Sequence, residues 1–96
     1  MIKRLVKLTF KPQNIEDFKE IFQESKNLIK SFKGCRDVEL LQDINNPCIF
    51  FTHSIWDSEK DLNSYRESDL FNSVWAKTKV LFDAKPEAWS LSIQKN

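Results

Sequence analysis

The sequence predicts an α+β protein with a ferredoxin-like split βαβ topology, in the order β-α-β-β-α-α-β. Two observations carry this prediction: stretches of period-two alternation are interleaved with stretches of helical apolar spacing, and turn or capping residues mark the changes between them. Since 96 residues support one small core, we expect residues 1–96 to form one domain. The topology predicts a four-stranded antiparallel sheet with the first and third strands central and the helices on one face.

The first quarter of the chain predicts a strand followed by a regular helix. Residues 3–11 alternate between two faces, and Pro12 ends the strand. Asn14 stands at a capping position, and Gly34 is the usual kind of residue to end a helix. One strand face carries Arg4, Val6, Leu8 and Phe10. The apolar residues that recur at helical spacing, and so form one apolar stripe along the helix, are Ile15, Phe18, Phe22, Ile29 and Phe32, widened by Ile21 and Leu28.

The middle of the chain predicts a hairpin followed by two helices. Residues 35–43 form the second strand, and a turn at 44–47 leads into a third strand over 48–56. Asp57 or Ser58 caps a short helix. Ser68 then caps a longer helix, which Pro86 closes. The stripe of this helix is predicted to consist of Leu70, Phe71, Val74, Trp75, Leu81 and Phe82.

The predicted sheet has a face that its own helices do not cover. The last strand, 87–94, carries large apolar groups on one side. Both sides of the third strand are apolar, one with Phe50, Thr52, Ser54 and Trp56, the other with Ile49, Phe51, His53 and Ile55. Because an exposed apolar sheet face is typical of an interface, we expect a second copy of this chain to cover it, giving a twofold dimer that closes into a barrel.

Composition argues against several classes of protein. A formal charge of +1 is too small for nucleic-acid binding, and no apolar stretch approaches the roughly 18 residues of a membrane span. We see no signal peptide and expect a cytoplasmic protein. One glycine excludes phosphate-binding glycine loops. One histidine and two distant cysteines, Cys35 and Cys48, do not suggest a metal site or a disulfide, so we expect no cofactor and no metal.

Two sets of residues are candidates for a site. His53 is the only side chain whose ordinary pKa lies near neutrality, so it is a candidate to take a proton from a phenolic substrate; the alternative is a buried histidine that is hydrogen-bonded for structural reasons. Four aromatic residues form the second set, and they predict either an aromatic cleft for a flat substrate or an ordinary core. These are Trp56, Phe71, Trp75 and Trp89.

The string W-D-S-E-K-D-L-N-S-Y-R-E-S-D-L-F, residues 56–71, resembles the signature of the antibiotic biosynthesis monooxygenase family. In that family a strand ending in Trp is followed by an acidic, serine-bearing short helix and a second helix. The order of elements extends the resemblance over nearly the whole chain. The resemblance implies a dimeric α+β barrel and, in the enzymatic members, oxidation of aromatic or quinol-like substrates by O₂ without flavin or metal. The residues that carry it are Trp56, Ser58, Leu62, Ser68 and Phe71.

A haem-degrading branch of the same family uses an Asn, a Trp and a His, and the resemblance puts Val6, Tyr65 and Trp75 at these positions. Val6 cannot hydrogen-bond to an iron-bound oxygen, and Trp75 has no lone pair for iron. Many members also carry two histidines where this chain has Tyr65 and Leu70. The loss of these polar pairs weighs against catalysis, because a fold alone does not establish a reaction.

Our first hypothesis is therefore a homodimeric, cofactor-independent monooxygenase that acts on a small aromatic or quinol-like molecule. Tyr65, at a position where the family often has a pocket residue, or His53 would handle the proton, while Trp56, Phe71 and Trp75 hold the ring. For Tyr65 the alternative is an amphipathic residue at a helix end. The second hypothesis is a non-catalytic dimeric barrel that binds a small apolar ligand, and haem degradation is a weaker third.

Overall fold

The computed structural model describes residues 1–95, and its elements follow the predicted order. The strands are β1 (Ile2–Thr9), β2 (Cys35–Gln42), β3 (Ile49–Trp56) and β4 (Glu87–Ser92), and the helices are α1 (Ile15–Lys30), α2 (Glu59–Arg66) and α3 (Asp69–Lys79). A short 3-10 turn at Pro12–Asn14 connects β1 to α1. The predicted α+β ferredoxin-like topology is confirmed.

The four strands form one antiparallel sheet in the order β2-β3-β1-β4, so β1 and β3 are central, as predicted. Paired residues of neighbouring strands share a face, and the register pairs Leu8 with Phe50 and Leu5 with both His53 and Trp89. Leu8 and Phe50 pack with α1 in one buried cluster, which identifies the helix-side face. We call the opposite surface the bare face; its apolar residues and histidine are Leu5, Leu41, Phe51, His53, Ile55, Trp89 and Leu91, and it also carries the charged residues Lys7, Glu39 and Glu87.

Aromatic rings make up the centre of the core between α1 and the sheet. The Phe10 and Phe18 rings stack with centroids 4.2 Å apart, and both meet the Phe50 ring edge-on. Phe10 and Phe50 are 0% and 1% exposed. Rings of this size bury a large apolar area each, which suits a chain with room for only a small core. The core therefore lies on the helix-side face.

Two serines start α2 and α3, and one glycine shapes the turn that follows α1. Ser58 Oγ accepts a hydrogen bond from the Asp61 N–H (3.2 Å) and Ser68 Oγ accepts one from the Phe71 N–H (3.1 Å), so both act as N-caps. Gly34 follows α1 with φ of 86°, and a Cβ there would collide with the side chain of Asp61. Glycine is needed at this turn because other residues rarely adopt a positive φ.

Several details of the sequence-based prediction are wrong. α1 ends at Lys30, so Phe32 lies beyond the helix, and β4 ends at Ser92 rather than at residue 94. α3 ends at Lys79, so Leu81 and Phe82 do not belong to its stripe; instead the chain turns and Phe82 forms an isolated bridge with Phe10. The turn packs the Phe82 ring 5.3 Å from the Phe10 ring, a contact that ends the helix early. Asn14 does not cap α1 through its side chain, because its amide donates to the Leu81 carbonyl (3.2 Å).

Neither cysteine is in a disulfide. Cys35 and Cys48 are free thiols, each half-buried. Burial raises the pKa of the Cys35 thiol, so it stays protonated near neutral pH. Over residues 1–95, no helix has the length and apolar character needed to cross a lipid bilayer. No group of three or more His, Cys, Asp or Glu side chains in that same span is placed to hold a metal ion.

Candidate functional site

A cavity of about 400 Å³ lies between the helix-side face of the sheet and the three helices. The sheet contributes residues of β1, β3 and β4, and each helix contributes one face. Small-molecule sites in proteins span roughly 300 to 1,000 Å³, so the volume suits a compact ligand. Most of the wall is aliphatic or aromatic, which favours a ligand with an apolar body.

Helical spacing explains which side chains reach the cavity. On α2, Leu62 and Tyr65 are three residues apart and share a face, and Leu62 is only 2% exposed. On α3, Phe71, Trp75 and Thr78 recur at intervals of four and three residues and also line the wall. The serine caps fix where both helices begin, and so which side chains face the sheet.

The aromatic residues of the wall form a continuous series of contacts. Trp56 stacks on Tyr65 (centroids 5.0 Å apart), Tyr65 meets Phe71 edge-on (5.3 Å), and Phe71 and Trp75 lie nearly parallel (5.9 Å, 8°). The three residues predicted to bind substrate, Trp56, Phe71 and Trp75, therefore line one cavity with Tyr65. Flat aromatic surfaces of this kind suit a planar ligand. Their role in binding stays a prediction.

Tyr65 supplies a polar group to this aromatic wall. Burial, and to a lesser extent the nearby Cys35, raises the pKa of Tyr65 to about 12. Its hydroxyl forms no hydrogen bond to another of residues 1–95, and it is not sealed off from solvent. The group is therefore a neutral phenol at physiological pH, able to donate or accept a hydrogen bond to a ligand but unsuited to act as a base.

His53 lies on the bare face, and the sheet separates it from the cavity. Its Nδ1 is 3.0 Å from a carboxylate oxygen of Glu39, and its side chain is 22% exposed. This contact matches the alternative interpretation of a hydrogen-bonded structural histidine. A catalytic role for His53 stays a prediction, and within one protomer the structure brings it into no contact with Tyr65.

Trp89 does not line the cleft with the other aromatic residues, so that expectation is wrong. It pairs with Leu5 on the bare face and is 41% exposed. The cause is the period of two: in β4 the helix-side positions are Ala88, Ser90 and Ser92, and of these only Ala88 borders the cavity. Small residues at these positions leave the β4 side of the cavity open.

Of residues 1–95, Arg4 and Arg66 alone bring a charge to the cavity wall, and neither is among the site residues predicted from the sequence. Arg4 lies on β1 and its Nη1 donates to Ser90 Oγ (3.0 Å), while Arg66 is the last residue of α2. Burial lowers the pKa of the Arg4 guanidinium, and the positive charge of Arg66 lowers it further. A signal was present for Arg4, since it interrupts the apolar strand face of Val6 and Leu8.

The other polar side chains of the wall bond mainly to one another or to the backbone. Ser54 Oγ accepts from the Trp56 indole N–H (2.9 Å), and Thr78 Oγ1 donates to the Val74 carbonyl (2.8 Å). The groups left to meet a ligand are the hydroxyls of Tyr65 and Thr52 and the two guanidiniums. The site can thus offer flat apolar surfaces, two neutral hydroxyls and two positive charges.

Comparison with known proteins gives one family and a consistent fold. Residues 1–76 match the family model described as antibiotic biosynthesis monooxygenase. A conserved protein from Methanosarcina mazei Go1 is similar in structure, with a TM-score of 0.92 and 22% identity over 97% of this chain and 92% of that chain. A protein from Nitrosomonas europaea called "putative antibiotic biosynthesis monooxygenase" has a TM-score of 0.91 and 16% identity over 99% of this chain and 100% of that chain. At these identities the likeness shows the fold.

A curated protein of Haloarcula marismortui, named "putative heme-binding protein", is similar in sequence. It is 38% identical over 66 residues, which cover 69% of this chain and 10% of that protein. This chain therefore spans about a tenth of the length of that relative, so the match concerns one segment of a much longer protein.

Proposed function

Because the chain belongs to the antibiotic biosynthesis monooxygenase family, we propose that it is a cofactor-independent monooxygenase that oxidises a small aromatic or quinol-like molecule with O₂. The observation that carries this proposal is the cavity of about 400 Å³, whose wall combines contacting aromatic rings with one phenol that bonds to no other of residues 1–95. Phe71 and Trp75 would hold the substrate ring by stacking and edge contacts. Trp56, which is 0% exposed, would support this wall from behind by stacking on Tyr65.

The chemistry would use the reactivity of the substrate itself. A deprotonated hydroquinone passes one electron to O₂, and the resulting radical and superoxide combine at a ring carbon to form a C–O bond. Loss of water from this hydroperoxide leaves a hydroxyquinone, so one oxygen atom enters the product and the other leaves as water. The protein contributes by holding the substrate in a site that limits water and fixes its orientation.

Tyr65 would orient the substrate rather than remove its proton. With a pKa of about 12, its hydroxyl stays protonated and can donate a hydrogen bond to a substrate oxygen, most strongly once that oxygen is negative. The charges of Arg4 and Arg66 favour the same anionic form of the substrate. The proton would then pass to solvent through the open side of the cavity, with no need for a protein base.

A homodimer forms part of this proposal. The bare face exposes Leu41, Trp89 and Leu91 by 44%, 41% and 45%. Large apolar groups gathered on one sheet surface favour association, and a second copy of the same face is the simplest cover. The cavity would stay accessible in such a dimer, because it lies on the helix side of the sheet.

A non-catalytic protein that binds a small apolar ligand is the second candidate function, and one observation favours it. Within the described span 1–95, no His, Asp, Glu, Lys or Cys lines the cavity, so none of these lining side chains has an ordinary pKa near neutrality. A protein of this kind would bind the same flat molecules without promoting their reaction with O₂.

Haem degradation is a third candidate, raised by the name of the Haloarcula relative. The residues of the cavity do not fit haem iron. Its wall contains no His, Cys or Met, and Val6 and Trp75 offer no lone pair. Tyr65 would have to lose its proton to bind iron, and its raised pKa opposes this. We therefore derive no reaction through haem.

Oxygen uptake tests the proposal. With no flavin or metal added, the protein should accelerate the consumption of O₂ by dihydroxynaphthalenes or other hydroquinones, with one O₂ used per hydroxyquinone formed. Tyr65→Phe should lower kcat by about tenfold with little effect on KM, because it removes a hydrogen bond that strengthens as charge develops. Ser64→Ala is the matched control on the exposed side of α2.

The outcomes separate the three candidates. Quenching of tryptophan fluorescence by the same compounds without accelerated O₂ uptake would favour the non-catalytic protein. A Soret shift with turnover of added haem would favour the third. If the double variant Tyr65→Phe with His53→Ala oxidises hydroquinones as fast as the parent, both predicted proton-handling residues are refuted.

A further inference from the structure

Two guanidinium groups border the cavity without a carboxylate partner. Five ion pairs form among residues 1–95, and none of them involves Arg4 or Arg66. The cavity wall contains no Asp or Glu, so its formal charge comes from these two residues alone. The chain as a whole has 14 acidic residues, so carboxylates are common elsewhere in the protein but not at the cavity.

The two arginines are close enough to affect each other. The positive charge of Arg66 lowers the pKa of the Arg4 guanidinium, and burial of Arg4 acts in the same direction. Bringing like charges together beside an apolar wall has a free-energy cost in the empty protein, and an anion bound between them would relieve it. The hydroxyl of Ser90 satisfies one N–H of Arg4 but supplies no negative charge.

A purely structural role explains only part of this arrangement. Arg66 stands in the last turn of α2, where a cation interacts favourably with the helix dipole, and it is exposed. That accounts for a basic residue at this place. It does not account for Arg4, which sits in a central strand on the same face as Val6 and Leu8, where an apolar side chain would pack better.

We propose that the cavity selects planar aromatic carboxylates, with Arg4 and Arg66 holding the carboxylate while the aromatic wall holds the ring. This inference rests on the proposed function, since it names the class of aromatic molecule that the same cavity takes. A carboxylate matches the planar fork of a guanidinium and can accept two parallel N–H bonds.

The test compares two probes of nearly equal shape, naphthoate and naphthamide, by tryptophan fluorescence or calorimetry. The amide keeps the ring and the planar head group but has no charge. Wild-type protein should bind naphthoate at least tenfold more tightly than naphthamide, the scale expected for charge-assisted hydrogen bonds. The preference should shrink as salt is added, because part of it is electrostatic.

Substitutions of the two arginines test whether they cause the preference for naphthoate. Arg4→Gln and Arg66→Gln should each reduce the affinity for naphthoate by about tenfold while that for naphthamide stays constant. Arg66→Lys should keep part of the preference, since it retains the charge and loses the fork. Lys60→Gln is the matched control, because Lys60 is exposed on the same helix and does not border the cavity.

Each outcome decides the inference. The anion site would be overturned by equal affinity for the two probes, or by a loss of naphthoate affinity in Lys60→Gln as large as in the arginine variants. The proposed function would still stand if naphthamide and hydroquinones bind. Failure of every aromatic probe to bind would overturn both. Should Arg4→Gln fail to fold, Arg66→Gln at its exposed helix end still gives the answer. Tighter binding of naphthyl phosphate than of naphthoate would overturn the choice of carboxylate.

Discussion

The two faces of the sheet contain similar residues in different surroundings. Phe50 and Phe51 are neighbours in β3, yet Phe50 is 1% exposed beneath α1 and Phe51 lies partly exposed on the bare face. Trp56 and Trp89 differ in the same way, at 0% and 41% exposed. Both faces are apolar enough to be buried, so the apolar character of a strand does not by itself tell which face becomes the core. The helices decide it.

The charges of the two faces differ as well. On the bare face Lys7 pairs with Glu87 (3.8 Å) and His53 with Glu39 (3.0 Å). At the cavity, Arg4 and Arg66 have no such partner among residues 1–95. Paired charges are compatible with contact between two protein surfaces, whereas unpaired charges of one sign suit a charged ligand. The contrast supports assigning the bare face to association and the cavity to binding.

The largest effect should come from the neighbouring phenylalanines. Phe50→Ala should lower the free energy of unfolding by about 3 to 5 kcal/mol, because it leaves a cavity in the core. Phe51→Ala should cost about 1 kcal/mol or less in the isolated protomer, since its ring is partly exposed there. Because the proposed dimer would cover Phe51, both substitutions are made in a protomer kept monomeric by Trp89→Asp with Leu91→Asp. Urea unfolding at one protein concentration then measures the difference. Equal losses would mean that the two faces are not distinct.

The next effect concerns association through the bare face. Wild-type protein should sediment as a dimer at micromolar concentration, and Trp89→Asp with Leu91→Asp should weaken association by about a hundredfold or more, because two charges would be buried. Ser92→Asp adds a charge to the same strand on the other face and should leave the dimer intact. A wild-type protein that is monomeric and well folded would contradict the proposed interface.

A smaller effect should appear as a dependence of stability on pH. Folding raises the pKa of Tyr65 from about 10 to about 12, so between these values the folded protein binds more protons than the unfolded chain. The free energy of unfolding should therefore be unaffected by this group below pH 10 and should fall by about 2 kcal/mol as the pH rises to 12.

Tyr65 is the only tyrosine, so the ultraviolet absorbance of phenolate reports it directly. The folded protein should titrate near pH 12 and the urea-unfolded protein near pH 10. Tyr65→Phe is the control, since it should abolish the signal. If the Tyr65 hydroxyl of the folded protein titrated near its ordinary pKa of about 10, burial beside the cavity would not be desolvating it.

The smallest effect should come from removing the serine caps of α2 and α3, two of the helices that cover the helix-side face. Ser58→Ala and Ser68→Ala should each destabilise the protein by about 1 kcal/mol, because each removes the acceptor for an N–H at a helix start. Ser64→Ala lies inside α2, exposed and away from its cap, and should be neutral or slightly stabilising. Thermal unfolding ranks the three. If Ser64→Ala lost as much stability as the two cap variants, the effect could not be assigned to capping.

Local chemistry made much of the fold predictable. The caps at Ser58 and Ser68 and the alternation within each strand depend on residues a few positions apart, and the structure confirms them. Gly34 has a positive φ in the turn after α1, but the helix already ends at Lys30. The end of α3 was not predictable, because it depends on the contact between Phe82 and Phe10, which are far apart in the chain.

The candidate site was predictable only in part. The sequence predicts that Trp56, Phe71 and Trp75 share a wall with Tyr65, and they do. Local spacing is enough for this, because it determines where a strand ends and which residues lie on one face of a helix. Trp89 was placed on the wrong side because the phase of one strand relative to the next depends on register.

By itself, the sequence determined the order of the elements, where most of them begin and end, and the fact that β3 is apolar on both sides. These properties follow from spacing and capping, which act over a few residues. Only the tertiary structure decided which side the helices cover, on which side His53 lies, and that Arg4 of β1 comes close to Arg66 of α2. The physical reason is that register and packing join distant segments, and no local pattern records that pairing.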